Sequence, residues 1–192
     1  GPRGDRQGDK PPVDRRMATL NTGGPGRDWR RGGFPRSFLA RTEAVSNEWR
    51  RNFVRTFLER DLPELGLRTP SAALHRVWEM LAHVHGQVLS TSELARAFGV
   101  ADTTIRRYIE TLEATFVVRT LRPYHANIAK RQVRAPKVYV SDSGLLHHLL
   151  DVRTQRDLER HPKVGASWEG FLLESVVDGR HRLGFEFKRT TA

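Results

Sequence analysis

Hydrophobic and polar positions from residue 90 to residue 124 predict a helix, a turn, a second helix and a strand. Leu94, Ala95 and Phe98 give the first helix one apolar side, and Gly99 suits the left-handed conformation in which many helices end. In the second helix apolar residues recur at steps of three and four, which predicts a buried face of Ile105, Tyr108, Ile109, Leu112 and Phe116. This order of elements is that of a helix-turn-helix followed by a wing.

The second helix of this pair also carries the residues that would meet a ligand. Its polar face begins with threonine and arginine, the side chains that reach phosphates and base edges of DNA. The candidate nucleic-acid contacts on this helix are Thr103, Thr104, Arg106 and Arg107. We expect Ser92 and Asp102 to cap the two helices and Val100 to fill the turn between them. The same pattern also occurs in packing and dimerisation modules, so DNA binding does not follow from it alone.

Two longer helices are predicted upstream. The first spans about residues 43–62, ends at Pro63, and has one apolar stripe made of Val45, Trp49, Phe53, Phe57 and Leu58. The second opens at Pro70, closes at Gly86, and has one apolar face made of Leu74, Val77, Trp78, Leu81 and Ala82.

Downstream, β-branched and aromatic residues at 115–121 and 137–141 predict two wing strands, and Asp142 is placed to cap a short helix that ends near Leu150. Together the elements predict a mainly α (α+β) fold over residues 31–150, a helical bundle with a winged helix-turn-helix. Residues 1–30 are rich in glycine, proline and charge, which predicts a disordered basic segment.

Composition excludes several kinds of site. The 192 residues include no cysteine, so the chain cannot form a disulfide, a zinc–thiolate site or a thiol nucleophile. The eight histidines show no spacing typical of metal ligands, and the adjacent His147 and His148 would face different sides of a helix, so we expect no metal site. No apolar run is long enough to cross a bilayer, and we expect a cytoplasmic protein with no membrane partner.

The net charge of +11 is unevenly distributed. Residues 1–41 hold ten Lys/Arg against four Asp, and residues 114–141 hold six Lys/Arg and no acidic residue. The second block follows the presumed recognition helix and would attract a polyanion such as duplex DNA. It supplies the further candidate contacts Arg122, Lys130, Arg131 and Lys137. A solvated basic surface is the alternative interpretation.

Three segments resemble a known family: RGGFPRSFLA, WRRNFVRTFLERDLPELG and PYHANIAKRQVRAPKVYVSDSGLLHHLL. They are similar to the C-terminal region of bacterial and archaeal AAA+-type ATPases, the domain of unknown function number 4143. The resemblance covers about residues 31–173 and implies an ATPase domain upstream. This chain contains no G-x-x-x-x-G-K-[ST] sequence, so ATP and Mg²⁺ would belong to a missing ATPase part and we expect no cofactor in the chain itself.

The C-terminal end, GASWEGFLLES followed by LGFEFKRTTA, resembles the PD-(D/E)-x-K nuclease pattern. The resemblance implies a helix carboxylate from Glu169 or Glu174 and a strand pair of Glu186 and Lys188, with Mg²⁺ held by the carboxylates. Too few residues intervene for a complete sheet, and Asp178-Gly179 is typical of a turn. We therefore expect residues 151–192 to be an incomplete nuclease-like α/β segment without activity.

Three functions remain open at this point. The favoured hypothesis is a winged-helix DNA-binding or regulatory fragment of an AAA+-type ATPase. The alternatives are a metal-dependent nuclease-like domain, and an interaction module whose helix-turn-helix packs against its own ATPase domain or another subunit of a homo-oligomer. The apolar stripe of Trp49, Phe53 and Phe57 could serve the same contact, although such a stripe is more often part of the core.

Overall fold

A computed structural model describes residues 24–67, 69–123 and 135–182. The chain is mainly helical with one two-stranded sheet, which confirms the predicted α-rich class. In chain order the elements are α1 (Gly24–Arg31), α2 (Pro35–Phe38), α3 (Glu43–Thr56), α4 (Ser71–His83), α5 (Thr91–Phe98), α6 (Asp102–Ala114), β1 (Val118–Leu121), β2 (Lys137–Val140), α7 (Ser143–Leu149), α8 (Gln155–Arg160) and α9 (Val164–Arg182).

Helix α3 begins where Thr42 accepts a hydrogen bond from the Val45 amide. It continues through a π-helical turn, Phe57–Asp61, into one more helical turn, Leu62–Glu64. Pro63 therefore lies inside this last turn, and the helix ends at Glu64, slightly beyond the predicted end. Phe57 and Leu58 are buried, whereas Val45 is 51% exposed, so the predicted stripe is wrong at its first position.

Helix α4 lies at the centre of the core. Its predicted face is fully confirmed, because Leu74, Val77, Trp78, Leu81 and Ala82 are all buried. Around it pack the buried residues of α3, α5, α6, the two strands and α7, which form one hydrophobic cluster.

Helices α5 and α6 meet at the predicted glycine turn. Gly99 ends α5 with φ 65°, the left-handed conformation that glycine adopts without steric cost. The cap of α5 is Ser90 rather than Ser92, and Ala101 rather than Asp102 precedes α6. Val100 is 40% exposed and does not fill the turn.

The buried face of α6 includes Ile105, Tyr108, Ile109 and Leu112, as predicted. Phe116 is a correction: it follows the end of α6, has φ 61° and is 83% exposed. The helical period does not continue to Phe116, since the helix ends at Ala114.

The two predicted strands are confirmed as an antiparallel hairpin. Val118 pairs with Val140, Arg119 with Tyr139, Thr120 with Val138 and Leu121 with Lys137. Val118, Val138 and Val140 belong to the hydrophobic cluster. Asp142 then caps α7 by accepting a hydrogen bond from the Leu145 amide at 2.8 Å, as predicted.

The two ends of the described chain differ from prediction. Gly24–Arg31 is a helix, so the expectation of disorder through residue 30 is wrong for these residues, and residues 1–23 lie outside the description. The turn predicted at Asp178-Gly179 is wrong as well, because both residues lie within α9. Between residues 151 and 182 the described chain forms helices and loops without a strand.

Candidate nucleic-acid interface

The first two turns of α6 present a polar surface to solvent. Thr103, Arg106 and Arg107 are exposed and Thr104 is half-buried, whereas Ile105 between them faces the core. Nε of Arg106 donates to Oδ2 of Asp102 at 2.5 Å. Hydrogen bonds from Thr91 and Arg106 lower the pKa of Asp102, so this carboxylate is charged at neutral pH and holds the arginine along the helix.

Charge divides along the length of α6. Its first half holds Arg106 and Arg107, whereas its second half holds the exposed Glu110 and also Glu113. Glu113 accepts hydrogen bonds from the amide and hydroxyl of Thr120 on β1. Because acidic residues repel phosphates, only the amino-terminal half of α6 is suited to approach a polyanion.

Basic residues of the hairpin have different surroundings. Arg122 is exposed just after β1. Nζ of Lys137 lies 3.2 Å from Oε1 of Glu169, and Arg119 donates two hydrogen bonds to Glu174 at 2.7 and 3.0 Å. The basic block therefore does not form one open ridge beside α6, since its two strand residues are paired with α9. The candidates Lys130 and Arg131 lie outside the described residues.

The carboxylates proposed for a nuclease site lie on α9 and face the hairpin. Glu169 accepts hydrogen bonds from Lys137 and, at 2.6 Å, from the Tyr139 hydroxyl, and the Tyr139 bond lowers the pKa of Glu169. Burial raises the pKa of Tyr139. Glu174 is the acceptor for Arg119. Glu186 and Lys188 lie outside the described residues, and the described residues hold no cluster of three or more His, Asp or Glu arranged for a metal ion.

A buried network of hydrogen bonds, which the sequence did not indicate, joins α1, α7 and α9. Nδ1 of His147 lies 3.0 Å from the Arg30 carbonyl, and Nε2 lies 2.7 Å from the Ser167 hydroxyl, which accepts from the Trp29 indole at 2.9 Å. Since a carbonyl only accepts, Nδ1 donates and Nε2 accepts from Ser167. Burial lowers the pKa of His147 to about 4, in agreement with the neutral ring.

This Ser–His contact has the distance of a nucleophile and its base, but not the accessibility. His147 and Ser167 are each 1% exposed, and the serine oxygen is already in contact with an indole donor. A substrate could not reach that oxygen, so the arrangement is structural. Sequence reasoning missed it because the three side chains are separated by up to 138 positions.

A second buried histidine connects the hairpin to α9. The Val140 amide donates to Nδ1 of His85 at 3.0 Å, so Nε2 carries the proton and donates to the Ala166 carbonyl at 3.1 Å. Burial lowers the pKa of His85 to about 4.

Among the described residues, no helix has both the length and the apolar character needed to cross a membrane.

Comparison with known proteins identifies the family. The family model described as Domain of unknown function (DUF8612) matches residues 27–156, and the chain belongs to this family. The resemblance to the domain of unknown function number 4143 is therefore wrong, and with it the inference of an AAA+-type ATPase parent.

Two curated relatives are each 55% identical to the chain over 149 residues: Uncharacterized protein Mb2031c of Mycobacterium bovis and Uncharacterized protein Rv2008c of Mycobacterium tuberculosis. The aligned part is 78% of this chain and 34% of each relative, so the chain spans about a third of the length of the curated relatives it matches. No solved structure matches the chain.

Proposed function

We propose that α5, α6 and the β1–β2 hairpin act as a winged helix-turn-helix that binds duplex DNA, in a protein of the cytoplasm. The observation that carries the proposal is the exposure of Thr103, Arg106 and Arg107 on the first two turns of α6, while the opposite face of the helix is buried. A helix held in this way can enter the major groove with its first turns, and these side-chain types bind phosphates and base edges.

The surroundings of α6 support the same direction of approach. The α5–Gly99 turn fixes the start of α6, and the exposed Arg122 follows β1, where a wing would meet the phosphate backbone. Arg106 is held by Asp102 in an exposed ion pair, which is worth little in water and can be exchanged for a phosphate contact. The net charge of +11 favours association with a polyanion.

A binding measurement with a charge-matched control tests the proposal. Fluorescence anisotropy of a labelled duplex at low salt compares the wild-type chain with Arg106→Ala/Arg107→Ala, for which we expect about tenfold weaker binding. The control is Arg156→Ala/Arg160→Ala, which removes the same charge from exposed positions on α8 and should bind like wild type within about twofold. Equal loss in both variants would indicate attraction by net charge alone and would contradict a role for α6.

A further inference from the structure

Helix α9 is attached to the rest of the protein in an unusual way. Of its 19 residues, those with described side chains (164–177) include only two buried ones, Ser167 and Gly170. Three of its large apolar residues are exposed, Trp168 by 38%, Leu172 by 47% and Val176 by 55%, and the others with described side chains are only half-buried. A helix that places so little apolar surface in the core gains little stability from docking, and such elements are the first to open locally.

Polar contacts and close approach hold α9 against the hairpin. Glu174 accepts two hydrogen bonds from Arg119, and Glu169 accepts one each from Lys137 and Tyr139. Gly170 lets α9 come so close that a Cβ there would lie 2.5 Å from Nε2 of His85. Arginine and lysine bind phosphate oxygens with the same kind of charge-assisted hydrogen bond that they make to these carboxylates.

We propose that Arg119 and Lys137 are a second phosphate-binding site of the hairpin, and that α9 covers it with Glu169 and Glu174. The inference rests on the proposed DNA-binding function. Arg119 offers the bidentate guanidinium geometry that suits phosphate as well as carboxylate, and Lys137 adds a point charge two register steps nearer the loop end of the hairpin. Nucleic acid and α9 compete for these two cations.

Charge is the basis of this competition. The Lys137–Glu169 pair is about half exposed, 47% and 49%, so it contributes little stability in water. The Arg119–Glu174 pair is more enclosed, 34% and 14%, and is the stronger restraint. Helix α9 lies beyond residues 27–156, the part of the chain that matches the family model.

The test is a salt titration of duplex binding by the full chain carrying Glu169→Gln/Glu174→Gln. These substitutions keep the side-chain shape and remove the competing charge. We expect binding about three- to tenfold tighter at low salt and a plot of log K against log salt that is steeper by about 2, as for two added phosphate contacts. Adding Arg119→Ala and Lys137→Ala to this variant should remove the gain.

A charge-matched control separates this effect from net charge. Glu59→Gln/Glu64→Gln removes two exposed carboxylates from the two helical turns that continue α3, and should not steepen the salt dependence. The single variants Glu169→Gln and Glu174→Gln, checked for folding by circular dichroism, should each give part of the gain. An unchanged slope in all folded variants would overturn the proposal.

The outcomes distinguish this inference from the function on which it rests. If wild type binds through Arg106 and Arg107 but the glutamine variants gain nothing, the cover is wrong and the DNA-binding proposal stands. If neither wild type nor the glutamine variants bind at low salt, both proposals are wrong. If only the glutamine variants bind, the result supports the proposal that α9 prevents duplex binding in the wild-type protein.

Discussion

Arg119 on β1 and Glu174 on α9 form a two-bonded ion pair across 55 positions of sequence, with nitrogen–oxygen distances of 2.7 and 3.0 Å. This contact ties the last described helix to the hairpin that follows α6. Two aligned bonds of this kind are more specific than a single exposed ion pair. The pair therefore helps to position α9 on the hairpin, together with the Glu169–Tyr139 hydrogen bond and the close approach at Gly170.

The first prediction concerns the strength of that pair. A double-mutant cycle with Arg119→Ala and Glu174→Ala should give a coupling free energy of about 0.5–1 kcal/mol at low salt, because both groups are partly exposed. Urea unfolding of the four proteins provides the measurement. A coupling energy indistinguishable from zero would mean that this pair does not help to hold α9 on the hairpin.

The second prediction concerns the close approach of α9 to His85. Gly170→Ala should destabilise the protein by about 1–3 kcal/mol, since the new Cβ would lie 2.5 Å from Nε2 of His85. Gly165→Ala on the same helix is the matched control, because a Cβ there has no neighbour within 4 Å. This control substitution should be neutral or stabilising by about 0.3 kcal/mol. Similar thermal unfolding of the two variants would contradict this packing.

The third prediction concerns pH. Burial lowers the pKa of His147 from 6.5 to about 4, so the unfolded chain binds a proton at this position more readily than the folded one. The contribution of the neutral ring is fully present above pH 6.5 and is lost as the pH falls towards 4. For a shift of this size, acidification through this window lowers the free energy of unfolding by about 3 kcal/mol.

His147→Gln isolates this contribution from other titrating groups. Urea unfolding at about pH 7, 5.5 and 4.5 gives the unfolding free energies of wild type and this variant. The difference between them should shrink as the pH falls. A difference that stays constant over this range would show that His147 does not titrate as described.

The fourth prediction uses the strained backbone of Phe116. This residue has φ 61° and is 83% exposed, so its side chain offers little packing in return for the left-handed conformation. Phe116→Gly should raise the unfolding free energy by about 1 kcal/mol, whereas Phe116→Ala, which keeps a Cβ, should not. Destabilisation by both substitutions would instead reveal a packing role for the ring.

Local patterns in the sequence predicted the local structure well. The three- and four-residue period identified the buried face of α4, Gly99 marked the end of α5, and β-branched residues marked β1 and β2. The same period also placed Arg106 and Arg107 on the exposed face of α6. Each of these features depends on neighbouring residues, so a single sequence contains the information.

Contacts between distant residues could not be predicted in this way. Trp29 with Ser167, and Arg119 with Glu174, are charge or hydrogen-bond pairs that leave no periodic pattern in the chain. The sequence of the basic block after α6 therefore gives no sign that Arg119 and Lys137 pair with carboxylates of α9. The cap of α5 lies at Ser90 instead of the predicted Ser92 for a related reason. The two serines are chemically equivalent, so only the surrounding fold distinguishes them.

The most direct test of the central claim is the salt dependence of duplex binding by wild type and by Arg106→Ala/Arg107→Ala. If the start of α6 contacts the phosphate backbone, log K should fall linearly with log salt in wild type, and the slope should be smaller by about 2 in the variant. Wild-type binding that ignores salt, or identical slopes in the two proteins, would contradict DNA recognition by α6.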